Sequence, residues 1–173
     1  DIQAVIRDPR ELEDPHPVFA SYQAREESKT FSKELVRDTV IPIYMGMIRH
    51  IDDEIGRLIS FLEDRGELKN TMVVLTSDHG DYLGDFSLLL KGAMPFRSVT
   101  QVPMIWSDPA DRNGRVTEAL ASTIDISASI LDRVGLTPYP GMQGESFLPV
   151  IKGEESHREV VLTEFNDLGA RLG

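Results

Sequence analysis

Cysteine is absent from the 173 residues, which excludes disulfides and thiolate metal ligands within this segment. No apolar run approaches the roughly 18 residues that a membrane-spanning helix requires. Basic residues are scarce beside acidic ones: 18 Lys and Arg against 29 Asp and Glu leave a formal charge of −11. Such a chain lacks the clustered cations that neutralise phosphates, which argues against a nucleic-acid partner. A small anionic ligand is still compatible, because one local cationic pocket can hold it. No secretory leader is present, but the chain starts at Asp1 rather than Met, as expected of a processed or partial product. Cytoplasmic, periplasmic and secreted locations all stay open, as does the oligomeric state.

What is there is globular. The hydrophobic share of 40% is enough for one domain with a core of its own, burying roughly two-thirds of the unfolded surface. Residues 1–30 are polar and carry Pro9, Pro15 and Pro17, which predicts an irregular lead-in with room for one short helix. Residues 31–173 read as the folded part. From Lys33 to Arg65 the pattern is helical, with Ser32 as a cap. Ile48, Ile51, Ile55, Leu58, Ile59 and Leu62 recur at spacings of three and four and form one face. Pro42 predicts a kink or a division of this stretch, and Gly66 a C-terminal stop. Met72 to Thr76 is a short, branched, continuously apolar run, the pattern of a strand buried on both faces of a parallel or mixed sheet. Val102 to Trp106 predicts a second strand and Val160 to Thr163 a third. Thr123 to Val134 predicts a helix by its spacing, with Ile124, Ile126, Ile130, Leu131 and Val134 apolar, stopped by Gly135. Helices alternating with buried strands make the class α/β.

The chemistry concentrates where the first strand ends, at Ser77-Asp78-His79-Gly80. In open α/β sheets ligands bind at the carboxyl edge of the strands. A carboxylate and a neutral imidazole side by side suit a divalent cation, the first as a hard oxygen donor and the second as nitrogen. Two adjacent ligands do not complete a coordination sphere, so the others have to come from elsewhere. The alternative is structural: Asp78 makes turn hydrogen bonds and His79 is a surface residue. His16, His50 and His157 read as structural or surface residues, Asp52-Asp53-Glu54 as the wet face of a helix, and Trp106 as core.

The run Asn70-Thr71-Met72-Val73-Val74-Leu75-Thr76-Ser77-Asp78-His79-Gly80-Asp81-Tyr82-Leu83-Gly84-Asp85 resembles the second signature region of the sulfatases and phosphonate monoester hydrolases, within the alkaline phosphatase superfamily. Leu90-Lys91-Gly92 and Val102-Pro103-Met104-Ile105 follow at the family's spacing. Tyr44 to Leu58 is similar to the helix before that strand, and Ile124 to Leu131 with Met142 to Pro149 to the late helix and its loop. The resemblance spans about residues 40–165. It implies an alkaline-phosphatase-like mixed sheet flanked by helices, of which residues 31–173 are the C-terminal part.

The resemblance also assigns roles. Asp78 and His79 would be ligands of one divalent metal, Ca2+ or Mn2+. Asp-His is closer to the phosphonate monoester hydrolase branch than the Asp-Asn of many calcium sulfatases. Lys91 would be the catalytic, substrate-binding lysine on the sulfate or phosphate oxygens, where an ammonium offsets charge that builds up during attack; the alternative is a solvated loop lysine. The family's nucleophile is a formylglycine made from a Cys or Ser in a Cys/Ser-x-Pro/Ala-x-Arg motif. No such motif is present, so the nucleophile and the remaining ligands are expected in an N-terminal segment outside this sequence, and this chain alone is expected to be inactive. The implied function is sulfuric ester hydrolysis, with phosphodiester or phosphonate ester hydrolysis, or a non-catalytic metal-binding or interaction module, as alternatives. Two departures stand out. Phe86 replaces the histidine usual in Gly-Asp-His-Gly-Leu, so no role carries over to it. Phe96-Arg97 replaces an aromatic-acidic pair after Lys91, which either changes the pocket's charge or is surface variation.

Overall fold

A computed structural model describes residue 13 and residues 15–31, 34–154 and 156–165. Contacts divide the chain into two units, Asp1–Arg112 with Phe165–Gly173, and Asn113–Glu164. Both contain helix and the first holds the strands, so the α/β class stands.

The first unit opens with two short helices, α1 (Pro17–Gln23) and α2 (Glu26–Phe31), inside the stretch whose prolines predict an irregular lead-in. Pro17 occupies the first turn of α1, where a missing N–H costs nothing, and His16 caps it by accepting from the Val18 amide. The long helix α3 runs unbroken from Glu34 to Asp64 with Pro42 inside it, so the proline does not divide it. Ser32, the expected cap, lies outside the described residues. The apolar face of α3 is only partly covered. Ile55, Ile59 and Leu62 are half-buried, whereas Ile48, Ile51, Leu58 and Phe61 are exposed. His50 is exposed and lies 3.9 Å from Glu54, and Arg49 pairs with Asp53 at 2.9 Å. Such pairs contribute a few tenths of a kcal/mol each, roughly 0.3–0.5.

After a 3-10 turn at Leu68–Asn70, β1 (Val73–Thr76) pairs antiparallel with β2 (Met104–Ser107), Val74 opposite Trp106 and Thr76 opposite Met104. Neither strand is buried on both faces. Burial along β2 alternates, and Ile105 is exposed, because a two-stranded sheet leaves side chains of one face without a covering layer. Between the strands lies α4 (Arg97–Thr100). The unit's core is built from Phe19, Tyr22, Tyr82, Leu88 and Val99, with Phe86, Met94 and Phe96 packed against it. Tyr82 and Leu88 are only 1% exposed, and burial of side chains this size stabilises by roughly 1.5–3 kcal/mol each.

The second unit is organised by a charge. Helix α5 (Ile124–Arg133) ends before Gly135, whose φ of +73° makes the left-handed stop. Its buried residues are Asp125, Ala128 and Ser129; Ile126 and Leu131 are half-buried, and Ile124, Ile130 and Val134 are exposed. The reason is the Asp125 carboxylate, which is fully buried. It accepts from the Ser122 and Glu145 amides at 2.9 Å and from Arg158 Nη2 and Nε at 2.6 and 2.9 Å, and His157 Nε2 lies 3.2 Å away. Ser129 hydroxyl donates back to the Asp125 carbonyl and accepts from the Phe147 amide, which begins α6 (Leu148–Ile151). A buried carboxylate tolerates no apolar substitute for these donors, so the polar face turns inward. Residues 160–163 form no strand and are exposed, correcting the third strand; the nearest pairing is the Leu120–Arg158 bridge. Branched residues favour a strand only where a sheet edge and neighbours receive them.

Burial pushes the Asp125 carboxyl up, but hydrogen bonds from Arg158, Glu145, Ser122 and His157 outweigh it and bring the pKa to about 2, against 3.8 for an ordinary aspartate. A depressed acid stabilises the fold above its unfolded pKa and ceases to do so as pH falls through the folded one. We therefore expect about 2 kcal/mol of stability to be lost between roughly pH 4 and pH 2. Urea midpoints across that range measure it, and in Asp125→Asn the pH dependence flattens. An unchanged slope in the variant contradicts the assignment.

Candidate active site

The end of β1 delivers Ser77, Asp78 and His79 onto a loop whose backbone is held from both sides. Ser77 hydroxyl donates to the His79 carbonyl at 2.8 Å, and the His79 amide donates to Asp78 Oδ1 at 3.0 Å. The Gly80 amide donates to the Val99 carbonyl at 2.8 Å. The approach is close enough to require glycine: a Cβ at residue 80 would overlap the Ser98 carbonyl oxygen and come within 3.0 Å of its carbon.

Asp78 and His79 face one another, with Oδ2 and Nε2 3.3 Å apart. The His79 Nδ1 lies 2.8 Å from the Gly80 carbonyl. A carbonyl only accepts, so Nδ1 carries the hydrogen and Nε2 is the nitrogen directed at the carboxylate. An imidazole fixed through Nδ1–H to a carbonyl is the arrangement that presents Nε2 to a metal. The Asp78 carboxyl is held below the usual carboxylate range, chiefly by the His79 amide, and its side chain is exposed. One oxygen donor and one nitrogen donor at this separation can share a divalent cation, and the pair fits the metal implied by the resemblance. Among the described residues no group of three or more His, Cys, Asp and Glu could hold a metal, so these two side chains alone do not complete a coordination sphere.

Lys91 is exposed and begins after a closed loop. The Tyr82 amide donates to the Leu90 carbonyl at 2.8 Å, and within the loop Gly84 donates to Leu88 at 2.9 Å. Leu83, Phe86 and Leu90 all take positive φ, at 47°, 54° and 60°. Three side-chain-bearing residues in a left-handed conformation within one short loop store strain of a kind concentrated at functional sites. Asp81 lies two residues beyond His79, at the start of this loop. Its carboxylate accepts from the Leu83 amide at 2.8 Å. Burial pushes its pKa up, opposed by the Leu83 and Leu90 amides and by the charges of Lys91 and His79.

The two departures from the family pattern meet in space. Phe86 and Phe96 stack with ring centroids 3.9 Å apart, and Phe96 also meets the edges of Phe19 and Tyr82. Arg97 forks onto Gln101 Oε1 at 2.9 and 2.7 Å, which favours surface variation over a change in pocket charge. Neither Phe86 nor Phe96 signals the other in sequence; they are ten residues apart across a loop of irregular backbone.

A sulfatase profile matches residues 12–136. The chain is 30% identical over 147 residues to arylsulfatase K of Danio rerio, covering 84% of this chain and 28% of that protein. It is 34% identical over 113 residues to the multifunctional alkaline phosphatase superfamily protein PehA of Trinickia caryophylli, covering 62% and 21%. Among solved structures, the phosphonate monoester hydrolase of Silicibacter pomeroyi superposes with a TM-score of 0.65 at 33% identity, over 68% of this chain and 23% of that one. The chain belongs to the sulfatase family, of the alkaline phosphatase superfamily. It spans less than a third of the length of these relatives. Among the described residues no helix is long and apolar enough to cross a membrane.

Proposed function

We propose that this chain is the half-site portion of a metal-dependent sulfuric ester hydrolase. Asp78 and His79 hold one divalent cation, Ca2+ or Mn2+, and Lys91 contacts the oxygens of the sulfate group. The observation that carries the reading is the 3.3 Å pairing of Asp78 Oδ2 with His79 Nε2 at the end of β1, with Nδ1 already engaged by Gly80. A cation bound there supplies Lewis-acid stabilisation of charge on the transferred group. Lys91 adds an ammonium on the same charge. The nucleophile, a formylglycine, and the other ligands come from residues outside this sequence, so the isolated chain is inactive. The acidic chain argues against a nucleic acid and leaves a small anionic sulfate ester, held by one local cationic pocket, compatible as substrate.

A second reading is phosphonate monoester or phosphodiester hydrolysis. It is favoured by the Asp-His pair and by the likeness to phosphonate monoester hydrolases of Silicibacter pomeroyi and Agrobacterium radiobacter. Sulfate and phosphonate share tetrahedral geometry, so an aryl sulfate and an aryl phosphonate assayed side by side on the complete protein separate the two. Turnover of neither by the metal-loaded protein favours the non-catalytic module. On the preferred substrate, Lys91→Ala is expected to lower kcat about 10²–10³-fold, as for loss of one group aimed at transition-state charge. Wild-type kcat in that variant contradicts the role of Lys91.

A further inference from the structure

We propose that Tyr82 and Tyr22 are positioning residues for Lys91, their hydroxyls fixing the 92–94 backbone so that the lysine is presented beside the Asp78–His79 pair. The inference rests on the reading of Lys91 as the substrate-contacting cation. Tyr82 brackets that lysine. Its amide donates to the carbonyl of Leu90, immediately before Lys91. Its hydroxyl, three residues after Lys91, donates to the Met94 carbonyl at 2.8 Å and accepts from the Met94 amide at 3.1 Å. One side chain thus uses both its donor and its acceptor on a single residue of the loop, a two-point clamp that fixes orientation as well as distance.

Tyr22 supplies the next contact from α1. Its hydroxyl accepts from the Ala93 amide at 3.3 Å, and its ring lies against Gly92, where a Cβ would overlap Cε1 and sit 2.8 Å from Cζ. Residues 92, 93 and 94 are therefore each held by a tyrosine. Both rings are core: Tyr82 is 1% and Tyr22 8% exposed. Phe96 meets Tyr82 edge-on at 6.3 Å, and the Arg25 guanidinium lies 3.8 Å over the Tyr22 ring. Anchored rings leave the hydroxyls little freedom, so the positive φ of Leu90 is held in place rather than relaxed. A lysine on a free loop samples many positions. One whose flanking backbone is bonded on both sides meets its target already oriented.

A purely packing role for the tyrosines is separable from positioning, because phenylalanine keeps the ring and removes only the hydroxyl. In the complete protein, Tyr82→Phe is expected to lower kcat about tenfold with KM nearly unchanged, the loss of orientation corresponding to roughly one hydrogen bond. Metal content is expected to stay at the wild-type level. In a Lys91→Ala background the same substitution is expected to change kcat less than twofold, because there is no ammonium left to position. Tyr22→Phe is expected to act in the same direction and more weakly, given its single and longer bond, and it carries the same coupling test should Tyr82→Phe fail to fold. Wild-type kcat in the phenylalanine variants, or an equal fold-loss with and without Lys91, overturns the proposal and leaves the role of Lys91 standing. Wild-type kcat in Lys91→Ala removes the reading of Lys91 and this proposal together.

Discussion

Alanine at Asp78 or at His79 in the complete protein is expected to strip the divalent cation and lower ester hydrolysis about 10³-fold or more. Lewis-acid stabilisation is worth several kcal/mol of barrier, and each 1.36 kcal/mol is about tenfold in rate. The two substitutions are not equivalent in kind. Asp78→Ala removes the charged oxygen donor, which the His79 amide keeps in its anionic form, and so removes charge complementarity with the cation. His79→Ala removes the nitrogen donor and with it the preference for a transition metal over calcium. His79→Asn is therefore expected to retain activity better with calcium than with manganese. Metal analysis of the purified variants, with turnover measured in each metal, checks both statements. Full metal content and wild-type turnover in either alanine variant refutes the ligand assignment.

The second large effect concerns stability. Asp125→Asn is expected to destabilise the Asn113–Glu164 unit by about 3–5 kcal/mol, the cost of removing one partner from a buried ion pair. Asparagine keeps the volume and one acceptor oxygen but leaves Arg158, whose side chain is only 18% exposed, with only the more exposed Glu145 at 3.7 Å as counter-charge. By contrast Asp53→Asn on α3, which breaks only the exposed Arg49–Asp53 pair, is expected to cost under about 0.5 kcal/mol. Equilibrium urea unfolding of this chain compares the two. Equal midpoints for Asp125→Asn and Asp53→Asn contradict a buried electrostatic centre in the second unit.

These two sites differ in how far the sequence announces them. Asp78 and His79 are neighbours in the chain at the end of a branched apolar run, so strand, edge and donor pair can all be read from a few consecutive residues. Helix α3 is legible for the same reason, its period being local, and Gly66 marks its end with a positive φ. The face that α3 buries is less so, because spacing reports which residues share a side and not what covers it. In α5 the hydrophobic spacing finds the helix but not the residues it buries most deeply. Ile124 and Ile130 stay out, Ile126 is half-buried and Asp125 goes in, because its ion-pair partner lies 33 residues later and no local pattern links them. Val160 to Thr163 fails as a strand on the same ground: its propensity is local, but pairing requires a distant edge. The tyrosine clamp is the clearest case. Tyr22 belongs to a Pro-rich lead-in with no chemistry of its own, and it reaches Ala93 across 71 positions. Gly92 is the one local hint, being small where a ring must pass.

Lys91 occupies an intermediate position. Its place after Leu90 and before Gly92 is legible by resemblance, but what holds it there is not. The three positive φ angles at Leu83, Phe86 and Leu90 occur at residues whose side chains give no warning of them. They are sustained by the hydrogen bonds that close the loop and by the Phe86–Phe96 stack beneath it. The replacement of the family's usual histidine by Phe86 is thus accommodated as packing against Phe96.

Crystals of the complete protein grown with manganese, with diffraction collected at the manganese edge, test the central claim most directly. The account predicts an anomalous peak about 2.0–2.3 Å from both an Asp78 carboxylate oxygen and His79 Nε2, with Lys91 Nζ turned toward the same cavity. A metal peak held by other side chains, with Asp78 and His79 bonded only to each other or to solvent, contradicts it.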